Sequence, residues 1–128
     1  MNDMHENELS YLIREAVFKV HNTLGPGLLE SAYEAALVYE LLELDLLVTK
    51  QVPVPFVYNS VKLEAGFKID ILVNNRIILE IKSVENLTEL HHKQVLTYLK
   101  LSSLKLGLLI NFNVSDISTG IFRKVNSL

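Results

Sequence analysis

The sequence predicts an α/β protein in which helices flank a mixed β-sheet. Three observations carry that expectation. Two helix-patterned segments open the chain and are separated by Gly25-Pro26-Gly27. Two runs rich in Ile, Leu and Val lie on either side of a turn-like Asn74-Asn75. A further helix-patterned segment, long enough for a parallel crossover, joins the second run to another apolar run at 105–112.

The elements follow in order. Glu8 to about Leu24 reads as an amphipathic helix, because Leu9, Leu12, Ile13, Ala16, Val17 and Val20 recur at helical spacing. Gly25-Pro26-Gly27 supplies helix-stop chemistry. A second helix, dominated by Ala, Leu and Glu, is expected from about Leu28 to Leu46. Thr49 to Tyr58 reads as a strand in which Val52, Val54 and Phe56 alternate with Pro53 and Pro55. Proline donates no ladder hydrogen bond, so this is an edge strand or a bent entry. After a turn at Asn59-Ser60, Val61 to Val73 is a long strand with a bend expected at Gly66, and Ile77 to Val84 is its partner. Leu87 to about Ser102 is a third helix, Lys105 to Phe112 a buried strand, and Ile121 to Val125 a short final one. The expected order is α-α-β-β-β-α-β-β, with helices on both sheet faces.

Composition sets bounds. The chain has 128 residues, 49% of them hydrophobic, enough for one core and one compact domain over 1–128. It has no cysteine, which excludes disulfides, a thiol nucleophile and cysteine-based zinc sites. The start, Met1-Asn2-Asp3-Met4-His5-Glu6, is polar and acidic, unlike a signal peptide. No apolar run is long enough to span a bilayer, so no membrane partner and a cytoplasmic location are expected. A net charge of −3 argues against unaided binding of long duplex DNA. The charge is uneven. Residues 1–60 hold Arg14, Lys19 and Lys50 against nine acids, a balance of −6, and residues 61–128 hold nine basic residues against six acids, a balance of +3. Ile121–Val125, unlike the proline-protected strand, is open to pairing with a second copy, so a homodimer or larger complex is considered.

Phe67–Lys82 places Asp70, Glu80 and Lys82 inside two apolar runs, where a charge is costly unless solvated, paired or metal-bound. Glu80 and Lys82 are two apart and share a face. A two-residue Asn74-Asn75 loop would set Asp70 against Leu79 and mix charge with core on each face. A three-residue loop, Asn74-Asn75-Arg76, pairs Val73 with Ile77 and Asp70 with Glu80. One face then reads Ile69, Ile71, Val73, Ile77, Leu79 and Ile81, wholly apolar, and burial selects that register. Asn75 or Arg76 takes the left-handed turn position, which Asn tolerates better. Two facing carboxylates repel unless a cation sits between them, and hard oxygen ligands select Mg²⁺ or Mn²⁺. A solvated sheet face with a cross-strand Lys–Glu pair is the competing reading.

Asp70 followed by Glu80-Ile81-Lys82 resembles the acid…(D/E)-x-K signature of the PD-(D/E)XK nuclease superfamily. Gly27-Leu28-Leu29-Glu30-Ser31-Ala32-Tyr33 resembles the motif that names its GxxExxY branch, and Gln94–Lys100 and Leu106–Phe112 resemble later blocks. Lys68 stands where that branch is expected to carry Arg, and no proline precedes Asp70. The resemblance implies a restriction-endonuclease-like α-β-β-β-α-β core with an extra N-terminal helix and a short C-terminal strand. It implies Mg²⁺ or Mn²⁺ held by Glu30, Asp70 and Glu80. It also implies catalytic roles for Asp70, Glu80, Lys82 and Gln94, and nucleic acid as partner. Glu30 otherwise reads as a carboxylate at a helix N-terminus. Gln94 and Tyr98 are i,i+4 neighbours and, with His91 and Tyr33, are candidates to line the cleft. Two functions follow: a Mg²⁺-dependent nuclease acting on DNA or RNA, or a catalytically inactive nuclease-fold protein that binds nucleic acid or protein.

Overall fold

The computed structural model describes residues 4–63 and 65–128. Helix α1 (Glu6–Leu24) starts two residues before the expected position. His5 caps it: the Asn7 amide donates to His5 Nδ1, and the His5 amide donates back to Glu8. Helix α2 (Glu30–Glu43) is shorter than expected at both ends. At its C-terminus Asp45 turns left-handed, with φ 60°, and the Leu46 amide bonds back to the Leu41 carbonyl.

The two expected long strands are each broken. Thr49–Tyr58 is β1 (Val48–Pro53) and β2 (Phe56–Tyr58), and Val61–Val73 is β3 (Val61–Leu63) and β4 (Lys68–Val73). Pro53 and Pro55 lack amide protons, and Val54 between them donates to the Phe67 carbonyl at 2.8 Å. Gly66 has φ +73°, a conformation that interrupts strand geometry rather than bending it. β2 pairs with β3 as a separate hairpin across Asn59 and Ser60, both at positive φ.

β5 (Ile77–Lys82), α3 (Glu89–Ser102), β6 (Leu106–Asn111), a 3₁₀ turn at Ile117–Thr119 and β7 (Ile121–Val125) complete the chain. The main sheet has the order β1-β4-β5-β6-β7. β5 and β6 are parallel, as the α3 crossover requires, and the other pairs are antiparallel. β1 lies at one edge, consistent with its proline. The family expectation of a mixed sheet between helices therefore holds.

Each face has its own core. α1 and α2 pack on Ile71, Val73, Ile77, Leu79, Ile81, Leu106, Leu108 and Ile110. α3 packs through Val95, Tyr98 and Leu99 on Ile78, Leu109 and Val54. Gly107 allows that approach, since a Cβ there would meet Val95 Cγ1 at 2.8 Å. Ile69 corrects the sequence reading, because it packs on the α3 side and not with Ile71 and Val73.

The β4–β5 register is the three-residue-loop register, with Val73↔Ile77, Leu72↔Ile78 and Ile71↔Leu79. The Arg76 amide closes the turn on the Val73 carbonyl at 2.9 Å. Both Asn74 and Asn75 are left-handed, with φ 52° and 54°, where one such residue at 75 or 76 was expected. Asn74 is held there by Leu47: each donates its amide to the other residue, Leu47 to Oδ1 and Asn74 to the Leu47 carbonyl.

Candidate functional site

Asp70 and Glu80 face each other one step beyond the last paired residues, Ile71 and Leu79. There the backbone ladder gives way to side chains. The Asp70 amide donates to Glu80 Oε2 at 2.9 Å, and the Ile81 amide donates to Asp70 Oδ2 at 2.8 Å. On the other side of β4 the residue opposite Asp70 is Gln51, between the paired Lys50 and Val52, and Gln51 has φ 51°. This interruption on both sides of Asp70 accounts for the change of face at Ile69. Asp70 Oδ1 and Glu80 Oε1 accept no hydrogen bond among the described residues. Neither is a sealed, unsatisfied atom, so both oxygens are open to solvent or a ligand.

Burial governs the charge of this pair. Glu80 is 3% exposed. Loss of solvation and, next, the Asp70 carboxylate push its pKa up to about 8, against the opposing pull of the Asp70 amide and Lys82. Asp70 is also raised, first by burial; the Ile81 amide and Lys82 oppose, and Glu34 and Glu30 reinforce. Lys82 is half-buried and its charge acts on both carboxylates, but among the described residues it forms no direct ion pair with either.

α2 brings two further acids. Glu30 Oε2 accepts from the Ser83 amide at 3.4 Å, and Ser83 Oγ donates to the Leu28 carbonyl at 2.6 Å, tying the start of α2 to the end of β5. Glu34, one turn on, acts on both Asp70 and Glu80, and its two carboxylate oxygens accept from Gln51 Nε2 at 3.3 and 3.2 Å. Sequence reasoning missed Glu34. The signal was present, since residues four apart on a helix share a face and Glu30 was already a candidate.

From the α3 side, Gln94 Nε2 donates to the Tyr98 hydroxyl at 3.2 Å. Tyr98 is 4% exposed, and its pKa is raised by burial and then by Glu80, so its hydroxyl lies within electrostatic reach of the pair. Gln94 thus touches Tyr98, and no hydrogen bond among the described residues joins either side chain to the carboxylates. Asn111 is buried and clasps Val84 at both amide and carbonyl, which fixes the segment after Lys82.

Two cleft candidates are placed elsewhere. Tyr33 is fully buried and stacks on Phe112 with centroids 4.4 Å apart; its hydroxyl donates to Gly25 and accepts from Leu28. It shapes the turn before Glu30 and lines no open cleft. His91 closes the α3 capping box, its Nδ1 accepting from the Thr88 amide, and no contact among the described residues joins it to the acid pair. Glu30, Asp70 and Glu80 do not converge into a ready metal cage: no three His, Cys, Asp or Glu form such a group among the described residues. No helix among them is long and apolar enough to cross a membrane.

A family model of the PD-(D/E)XK nuclease superfamily matches residues 7–124. No curated protein and no solved structure matches the chain.

Proposed function

The chain belongs to the PD-(D/E)XK nuclease superfamily, and on that premise we propose that it is a divalent-metal-dependent nuclease that hydrolyses phosphodiester bonds of DNA or RNA. In this reading residues 1–128 act as one nuclease-like domain of the GxxExxY branch, in the cytoplasm. The observation that carries it is the Asp70–Glu80 pair, two carboxylates bonded to each other's strands with one oxygen of each left open. The donor set is hard oxygen and fits Mg²⁺ or Mn²⁺. A cation there relieves the repulsion that, with burial, holds a proton on Glu80 at neutral pH.

Asp70 and Glu80 would hold the cation, and Glu30 at the start of α2 is the further carboxylate that would join them. The bound cation supplies charge neutralisation at the phosphate and a more acidic water. Lys82 would stabilise the charge that develops on the phosphate oxygens and orient the attacking water. Gln94 orients substrate and holds the Tyr98 hydroxyl.

One observation favours a second reading, an inactive fold member that binds nucleic acid or protein: among the described residues the acidic side chains form no three-ligand group. A cleavage assay with Mg²⁺ or Mn²⁺ on single- and double-stranded DNA and RNA separates the two. Cleavage that needs metal and drops on the order of 100-fold or more in Lys82→Ala supports the enzyme. No cleavage of any substrate, with a melting temperature that Mn²⁺ leaves unchanged, supports the binder.

A further inference from the structure

Gln51 has a backbone its residue type does not favour. Among the described residues eight non-glycine positions have positive φ, and seven of them are Asp, Asn or Ser outside helices and strands. Gln51 is the exception, a long side chain inside strand β1 with φ 51°. A left-handed backbone crowds a Cβ, and Gly, Asn or Asp occupies it at lower cost.

This conformation turns β1 over. Val48 packs toward α1 and α2 and Val52 toward α3, although residues four apart in a strand ordinarily share a face. β4 turns over at the same point: Ile71 and Ile69 fall on opposite faces, and Ile69 pairs with Val52. Gly or Asn at position 51 would serve that packing as well. What Gln adds is its side chain. Counted from Val48, ordinary alternation would aim residue 51 at the α3 face. Its Nε2 instead meets α2 and donates to both carboxylate oxygens of Glu34, at 3.3 and 3.2 Å. Glu34 is half-buried, one turn after Glu30, and its charge acts on Asp70 and Glu80 alike. Glu80 itself is 3% exposed, and its Oε1 accepts no hydrogen bond among the described residues.

We infer that Gln51 is a positioning residue for the carboxylate site and acts through Glu34. Its amide fixes the Glu34 carboxylate within electrostatic reach of Asp70 and Glu80, where that charge strengthens the hold on a divalent cation without needing to bond it. The strained backbone is kept because it delivers the amide to α2. This role rests on the metal-dependent reading of the site.

Calorimetric titration of the metal-free protein with Mn²⁺, beside thermal melting without metal, tests it. Gln51→Asn keeps an amide and suits the left-handed backbone, but is one methylene shorter and out of reach of Glu34. It is expected to melt at or above wild type without metal and to bind Mn²⁺ about 10-fold more weakly. Glu34→Gln is expected to lose at least as much, and adding Gln51→Asn to it should change nothing further. Gln51→Asn binding within about twofold of wild type, or a further loss of about 10-fold on the Glu34→Gln background, overturns the inference. Wild-type protein that binds no Mn²⁺ overturns the metal-dependent reading and this role with it. Wild-type binding that the variants leave unchanged overturns this role alone.

Discussion

The two ends of the β4–β5 hairpin are built from the same kind of sequence and do opposite things. At the turn end, Ile71, Leu72 and Val73 pair with Leu79, Ile78 and Ile77 through the backbone, and each face is covered by its own core. At the open end, one residue further on, carboxylates replace carbonyls as acceptors. An aliphatic pair buried in a ladder only stabilises. A carboxylate pair in the same place satisfies two amides, yet leaves charge that burial cannot tolerate. The contrast separates a scaffold from the candidate site within six residues of strand.

Truncation at the scaffold end is expected to have the largest effect. Ile71→Ala removes a fully buried side chain and should cost about 2–5 kcal/mol in denaturant unfolding. A loss under 1 kcal/mol would mean the turn end is less tightly packed than its burial indicates.

At the carboxylate end the expected effect depends on pH. Glu80 holds its proton to about pH 8 in the folded metal-free protein, against an ordinary value of 4.5. Between those values the unfolded chain binds fewer protons than the folded one, so stability falls as pH rises from about 4.5 to 8, by on the order of a few kcal/mol. Glu80→Gln should flatten that fall and melt higher than wild type at pH 8, with little difference at pH 4.5. Parallel melting curves for the two proteins across this window would show that Glu80 is not held protonated.

The turn itself gives the smallest effects and divides its two asparagines. Both are left-handed, but only Asn74 also accepts from the Leu47 amide. Asn74→Ala should cost about 2 kcal/mol, from strain plus a lost hydrogen bond, and Asn75→Ala about 1 kcal/mol, from strain alone. Equal losses would remove the role given to Leu47.

The same hairpin shows what the sequence makes legible. Its register follows from pattern alone, because a one-residue slip would set Asp70 against Leu79 and mix charge with aliphatic side chains on each face. The facing of those two acids was therefore readable. The crossing of Ile69 to the α3 side was not, since it depends on Gln51 in a different strand adopting positive φ. The break at Val54 and Gly66 was half legible: the prolines and glycine announce a disturbance, but only three-dimensional pairing shows that β2 and β3 leave the sheet together. Glu34 was overlooked because helical periodicity alone gives it the look of a surface acid. Tyr33 bonds within a turn and His91 within a cap, placements that a motif position does not reveal.

The most direct test of the site is a crystal structure of the protein grown with Mn²⁺, read by anomalous scattering. A peak beside the Asp70 and Glu80 carboxylates is expected, held by those two side chains. Full-occupancy Mn²⁺ elsewhere on the molecule, with both carboxylates still resting on their amides and no density between them, would contradict it.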